Sequence, residues 1–330
     1  MIASAARSAA FARFVAVLER IARPQPDVLP ILTYHRVDDP VRSRLLYPGL
    51  ISATPAEFEE QMHFLASSHR PLSLTELLAV RRGEARLPLR SVMVTFDDAY
   101  RDFAEQAWPA MRRHGIAVTL FVPTAYPGMP ERAFWWDRLY SALMRADWKA
   151  PIATPAGELS LATDADRMHA FRRLRSYLKS LPDDQAMEIV EELSARLGPS
   201  SPVQSVLSWD ELRALAAEGV ALAPHSRTHP LLNRLPHEEA REEIVGSVDD
   251  LEREIGSVPR VFAYPGGGYS DEIVMILAEE GFELAFLTRR GSNDLRRADW
   301  LRLRRINVGR VSGLSLIRAQ LLPWWARVRR

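Results

Sequence analysis

Three groups of side chains in this chain have the makings of a reactive centre: the acidic pair Asp97 and Asp98, the histidines His225 and His229 in HSRTH, and His35 in ILTYHRV. The chain has no cysteine, so disulfides, thiolate metal sites and cysteine nucleophiles are excluded. Any bound metal must take its ligands from His, Asp and Glu. His225 and His229 are four apart, and a single helical turn would bring both imidazoles to one side, as two ligands of one ion require. One carboxylate added to them gives two nitrogens and one oxygen, leaving positions open for water and substrate. The other carboxylate can then handle a proton. Each signal alone is weak: His-x-x-x-His arises often by chance, and an Asp-Asp pair can cap the helix that begins near Asp102 or simply be solvated.

The strands and helices that carry these groups can be read from pattern. VMVTFDDAY, residues 92–100, is an apolar β-forming run that ends abruptly in the two carboxylates. Adjacent residues of an extended chain point to opposite faces, so a turn at this strand end is needed before both acids can face one cavity. Residues 28–37 form an earlier buried strand pattern closing on Tyr34 and His35. A helix over Ala56–Ser67, a short strand and helix in PLSLTELLAV, a helix over Asp102–His114 stopping at Gly115, and a strand at 118–124 continue a βαβ alternation. From about 126 to 207 the alternation breaks into long helical patterns, an insertion or lid. It resumes with Ser208 and Glu211 as a capping box, the strand 220–226, and three further strand and helix units, the last helix capped by Ser312. Six or more such units in series predict a parallel, closed or nearly closed α/β barrel. His35, Asp97 with Asp98, His225 with His229, and Tyr264-Pro265-Gly266 each fall at the C-terminal end of a different strand, the face on which barrels build active sites.

With 330 residues and 47% hydrophobic composition the chain can bury a large core, and a barrel with an insertion is compatible with that length. Net charge is +1 but uneven: residues 1–23 carry +3, residues 289–330 carry +10, and the middle carries −12. A basic face for an anionic partner and a solvated arginine-rich surface both explain this. The first 25 residues are read as an amphipathic helix, since Arg7, Arg13, Glu19 and Arg20 interrupt any signal-peptide core. No apolar run is long enough to span a bilayer, and cytoplasmic residence is expected. The basic helix and the tail 323–330, with Trp324 and Trp325 beside Arg327, Arg329 and Arg330, could lie on an anionic membrane surface; packing of the tryptophans on the fold is the alternative.

Taken together, these motifs resemble the polysaccharide deacetylases, the NodB-homology fold of carbohydrate esterase family 4. TFDD at Thr95–Asp98, HSRTH at His225–His229, FAYPGG around Tyr264 and ILTYHRV near the start carry the resemblance, which covers residues 28–310 apart from the insertion. The motif order looks more like the branch acting in exopolysaccharide and surface-glycan synthesis than like secreted chitin deacetylases. The resemblance implies a distorted (β/α) barrel over residues 26–322 and a divalent ion, usually zinc, held by Asp98, His225 and His229. It implies Asp97 as the general base toward a water activated at the ion, and a backbone N–H near Tyr264 as oxyanion donor. The expected partner is an N-acetylated glycan or lipid-linked amino sugar, and not nucleic acid.

Three departures accompany the resemblance. No histidine follows His237, so the late general-acid histidine of many relatives is missing, and His35 is the candidate to replace it. Ala99 stands where glycine is frequent after TFDD, and the YPGG loop lacks the arginine that orients the base in many relatives. His63, His69, His114, His169 and His237 are read as surface residues, and Trp135, Trp136 and Tyr140 as core. Alternatives to deacetylation are hydrolysis of another acyl amide, such as a formamide, and a non-catalytic glycan-binding barrel.

Overall fold

Seven short segments, mostly apolar and mostly buried on both faces, form parallel strands: β1 (Ile31–Tyr34), β2 (Ser91–Phe96), β3 (Thr119–Val122), β4 (Ala221–Pro224), β5 (Val261–Ala263), β6 (Leu284–Arg290) and β7 (Leu303–Asn307). Burial on both faces is the mark of a parallel sheet covered by its crossover helices. In this computed structural model residues 8–41, 44–129, 132–146, 148, 150–198 and 205–322 are described. The strand order is β4-β3-β2-β1-β7-β6-β5, and the end strands β4 and β5 face one another, so the sheet is a nearly closed barrel of the expected α/β class. Register is continuous where it matters: Thr33 pairs with Thr95 and Tyr34 with Phe96. Ile31, Met93, Phe121, Ala223, Ala263, Phe286 and Leu303 fill the interior.

The helices are α1 (Ala9–Ile21), α2 (Pro55–Ser68), α3 (Leu74–Arg81), α4 (Trp108–Arg113), α5 (Trp135–Arg145), α6 (Asp164–Leu178), α7 (Asp183–Leu197), α8 (Trp209–Ala217), α9 (His237–Ile255), α10 (Asp271–Glu279) and α11 (Leu314–Gln320). Reciprocal capping boxes start α2, α3 and α8, the last made by Ser208 and Glu211 as the sequence predicts. Two local expectations are corrected. The helix expected over Asp102–His114 opens with a π turn at Phe103–Ala107, because Pro109 lacks an N–H and crowds the carbonyl four residues back. Ser312 does not cap α11; Gly313 is the N-cap, and the Ser312 hydroxyl accepts the Gly309 N–H at 3.2 Å instead.

The chain divides into two compact units: Met1–Asp39, Gly49–Gly128 and Leu207–Arg330 make the first, Pro40–Pro48 and Met129–Val206 the second. The second holds α5, α6, α7 and a hairpin of Ile152–Thr154 with Gly157–Leu159. Pro40–Pro48 belongs to it because Tyr47 packs at 4.6 Å on Phe171, and its N–H donates to Asp137 Oδ1 at 2.7 Å. Trp136 and Tyr140 are buried in this unit, whereas Trp135 is half-buried.

Candidate metal centre

Strand periodicity delivers Asp97. Met93 faces the barrel interior, so Thr95 and then Asp97 continue that face, and the Asp97 N–H donates to Tyr34 O at 3.0 Å, one step beyond the strand pairing. Asp98 would point away on an extended chain. Instead it adopts φ +73° and Ala99 φ +49°, the turn that brings both carboxylates to one side. Such conformations cost a non-glycine residue about 1–3 kcal/mol and persist where the surroundings over-determine them. The value at Ala99 explains why glycine suits that position.

The histidine pair is placed by a loop and not by a helical turn, which corrects the sequence expectation. Ser226 and His229 take φ +60° and +64°, and the Ser226 hydroxyl accepts the His229 N–H at 3.0 Å. Glu243 of α9 pins this loop by accepting the N–H groups of Arg227 and Thr228, both at 2.8 Å, and the Thr228 hydroxyl at 2.7 Å.

The result is a cluster of Asp98, His225 and His229 whose potential ligand atoms all lie within 4.8 Å of one another. Asp98 Oδ1 is 3.3 Å from His229 Nε2 and 3.6 Å from His225 Nε2. His225 Nδ1 lies 2.7 Å from the Ala263 carbonyl oxygen, which can only accept; Nδ1 therefore carries the proton, and Nε2 presents its lone pair to the cluster. Burial, reinforced by the neighbouring His229, pushes the His225 imidazole down to about 4 against the pull of Asp97 and Asp98, so it is neutral, the ligating form. Burial alone would raise Asp98, but His229, His35 and His225 outweigh it and hold the carboxyl below its usual range. Asp98 Oδ1 is buried and accepts no hydrogen bond. An orphaned carboxylate oxygen facing two imidazole nitrogens fits a divalent cation and has no obvious structural use.

Asp97 stands beside the cluster in the grip of Arg305, a fully buried side chain of β7. Arg305 Nη1 and Nη2 donate to the two Asp97 oxygens, each at 2.7 Å, and its Nε donates to Leu287 O at 2.9 Å. Burial pushes the Asp97 carboxyl up, but Arg305, His225 and His35 together outweigh it, so Asp97 stays ionised. The YPGG loop lacks an arginine, and the one that orients Asp97 comes instead from β7. A sequence signal for it exists, since an arginine on the inward face of a barrel strand needs a buried counter-charge.

The remaining candidates sort differently. His35 follows β1, is half-buried, and lies close enough to Asp97 and Asp98 for its charge to bear on both; its backbone N–H donates to Ser52 Oγ at 3.0 Å. The next residue, Arg36, is buried and donates through Nε to Asp102 Oδ2 at 2.7 Å, tying His35 to the segment after the acidic pair. Tyr264 does not offer its side chain to a ligand. It is fully buried, its hydroxyl donates to Leu301 O at 2.8 Å, and its N–H donates to Phe286 O at 3.1 Å, which also removes that N–H as an oxyanion donor. Pro265 is buried as well, whereas Gly266 is exposed at φ +57°. Among the other histidines, His69 is half-buried and not fully on the surface: its Nδ1 is buried without a hydrogen bond, and its ring packs edge-on to Phe64 at 5.3 Å.

The polysaccharide deacetylase family model matches residues 85–285, which include the acidic pair, the histidine loop and Tyr264. The chain belongs to the polysaccharide deacetylase family, a class of hydrolases. It is 18% identical over 273 residues to YxkH of Bacillus subtilis (strain 168), named for a polysaccharide deacetylase, covering 82% of this chain and 68% of that protein. Among solved structures it is similar to the Streptococcus pyogenes deacetylase PplD in complex with acetate (TM-score 0.60, 18% identity, 91% of this chain and 100% of that one). It is likewise similar to IcaB from Ammonifex degensii (TM-score 0.58, 20% identity, 90% and 98%). At these identities the structures establish a shared fold.

Proposed function

We propose that this protein removes the N-acetyl group from an amino sugar in a polysaccharide or lipid-linked glycan intermediate, using a divalent cation, zinc in the first instance, held by Asp98, His225 and His229. The observation that carries this reading is the orphaned Asp98 oxygen facing two imidazole nitrogens beside an ionised Asp97. When bound, the cation supplies Lewis acidity that polarises an amide carbonyl and acidifies a water. The protein's own groups do the rest. Asp97, oriented by Arg305, accepts the proton of the attacking water as it adds to the amide carbon. The C–N bond then breaks, the amine nitrogen takes up a proton, and acetate and the free amine leave. His35 is assigned the proton donor's role, being the imidazole outside the metal-ligand set that interacts electrostatically with both carboxylates. The exposed, left-handed Gly266 replaces Tyr264 as the part of the YPGG loop open to substrate.

PplD was solved in complex with acetate, the acid this reaction would release, and that complex supports an acetyl over another acyl group. Membership of the polysaccharide deacetylase family, and likeness to a relative named for the same activity, favour a glycan substrate. The test is a matched panel of N-acetyl and N-formyl glucosamine oligomers and lipid-linked amino sugars, incubated with zinc-loaded protein. Amine release confined to N-acetyl substrates supports the proposal. Preference for formyl substrates moves it to the other acyl amide, and retention of glycan without any hydrolysis moves it to a binding protein.

A further inference from the structure

Helix α1 carries a surface that the barrel does not use. Val15 is buried and anchors the helix on the first unit, while Phe14, Val17 and Ile21 are 58%, 56% and 67% exposed. These three lie at i, i+3 and i+7, one continuous apolar stripe on a helix about 20 Å long. Arg13 and Arg20, seven residues apart and both exposed, run alongside it. The one acid on the helix, Glu19, is turned away from the stripe and pairs with Arg318 of α11, accepting from its Nε at 2.9 Å. The stripe is therefore apolar and cationic, with no exposed carboxylate on the same helix. Ala22, just past the helix, shares a cavity of about 180 Å³ with Arg90, whose neighbour Leu89 is 59% exposed. Arg90 and Ser91 mark the start of β2, so this end of the helix lies opposite the strand ends that carry the metal-ligand cluster.

We infer that this face docks on an anionic lipid surface, with Phe14, Val17 and Ile21 among the acyl chains' upper carbons and Arg13 and Arg20 at the headgroups. An apolar stripe edged by arginine is the chemistry of an interfacial helix. Charge disfavours a second copy of this chain: an antiparallel two-fold contact through the stripe would set the arginine rows of both copies side by side. The sequence adds that α11, which packs on α1, is followed by residues 323–330, outside the described residues, with two tryptophans and three arginines.

The test is co-sedimentation of the full chain with phosphatidylcholine vesicles, with and without phosphatidylglycerol. Binding to the anionic vesicles is expected, falling with salt. Arg13→Glu/Arg20→Glu should weaken partitioning by at least about 25-fold, roughly fivefold for each arginine lost. Phe14→Ser/Val17→Ser/Ile21→Ser should abolish it while leaving the melting temperature and acetate release from a soluble glycan unchanged, since the three are exposed. Wild-type protein that stays in solution with anionic vesicles, or that sediments equally with both variants, would overturn the inference. So would a wild-type dimer that the serine variant converts to monomer without any vesicle binding.

Discussion

Arg305 and Asp97, 208 residues apart in the chain, form a two-point ion pair inside the barrel, with both contacts at 2.7 Å. The pair joins β7 to the end of β2 and fixes the plane of the carboxylate beside the metal-ligand cluster. Removing one partner leaves the other charge buried and unpaired, at a cost of about 3–5 kcal/mol. Arg305→Met should lose that much stability in urea unfolding, and Asp97→Asn/Arg305→Met should recover most of it. A double variant whose loss equals the sum of the Asp97→Asn and Arg305→Met losses would show that the pair is not coupled.

A cation that binds only the folded state stabilises it by about 2.7 kcal/mol at a concentration 100 times its dissociation constant. Zinc should therefore raise the melting temperature of the wild type, and a chelator should reverse the shift. Asp98→Ala and His229→Ala should abolish the zinc-dependent rise, whereas His237→Ala, whose imidazole pairs with Glu272 at 2.9 Å, should keep it. An equal rise in all four proteins would place the metal elsewhere.

His69 predicts an acid-side loss of stability. Burial, with Arg90 adding to it and Glu19 opposing, pushes its imidazole down to about 4 from the ordinary 6.5. Below pH 6.5 the unfolded chain takes up a proton that the folded protein refuses until about pH 4. Stability contributed by neutral His69 is thus complete above 6.5 and declines as pH falls to 4, by about 3 kcal/mol in all. His69→Gln should flatten the stability profile in that window. An unchanged slope would show that other groups govern it.

The parts of the site that are legible in the sequence are those set by local rules. The apolar run ending in Asp97 and Asp98, the need for a turn between them, and the barrel of alternating strands and helices all follow from period and spacing. Helical spacing misleads at His225 and His229, because tertiary hydrogen bonds donated to Glu243 hold a loop with two left-handed residues in its place. Arg305 is legible as an arginine on the inward face of a barrel strand that must find a counter-charge, but which carboxylate it meets is fixed by the closure of the barrel and not by any neighbour in sequence. Tyr264 is legible as a motif but not in its role, because its side chain points into the core.

The YPGG loop gives a further test. Gly267 has φ +76°, and a Cβ there would lie 2.0 Å from Thr288 Oγ1 on β6. Gly267→Ala should cost more than about 1 kcal/mol, through the strained backbone and the displaced Thr288. Gly267→Ala/Thr288→Ala should recover the part due to contact alone. No loss in the single variant would mean that the loop sits differently.

The proposed chemistry stands on a division of labour in which Asp97 moves the proton while Asp98, His225 and His229 hold the ion. The decisive experiment is acetate release from an N-acetylated glucosamine oligomer, wild type against Asp97→Asn, with metal content measured on the same samples. Release by the wild type is expected, with a drop of about 10²-fold or more in the variant and metal still near one ion per chain. Equal rates in the two proteins, or loss of metal together with activity in Asp97→Asn, would contradict that division.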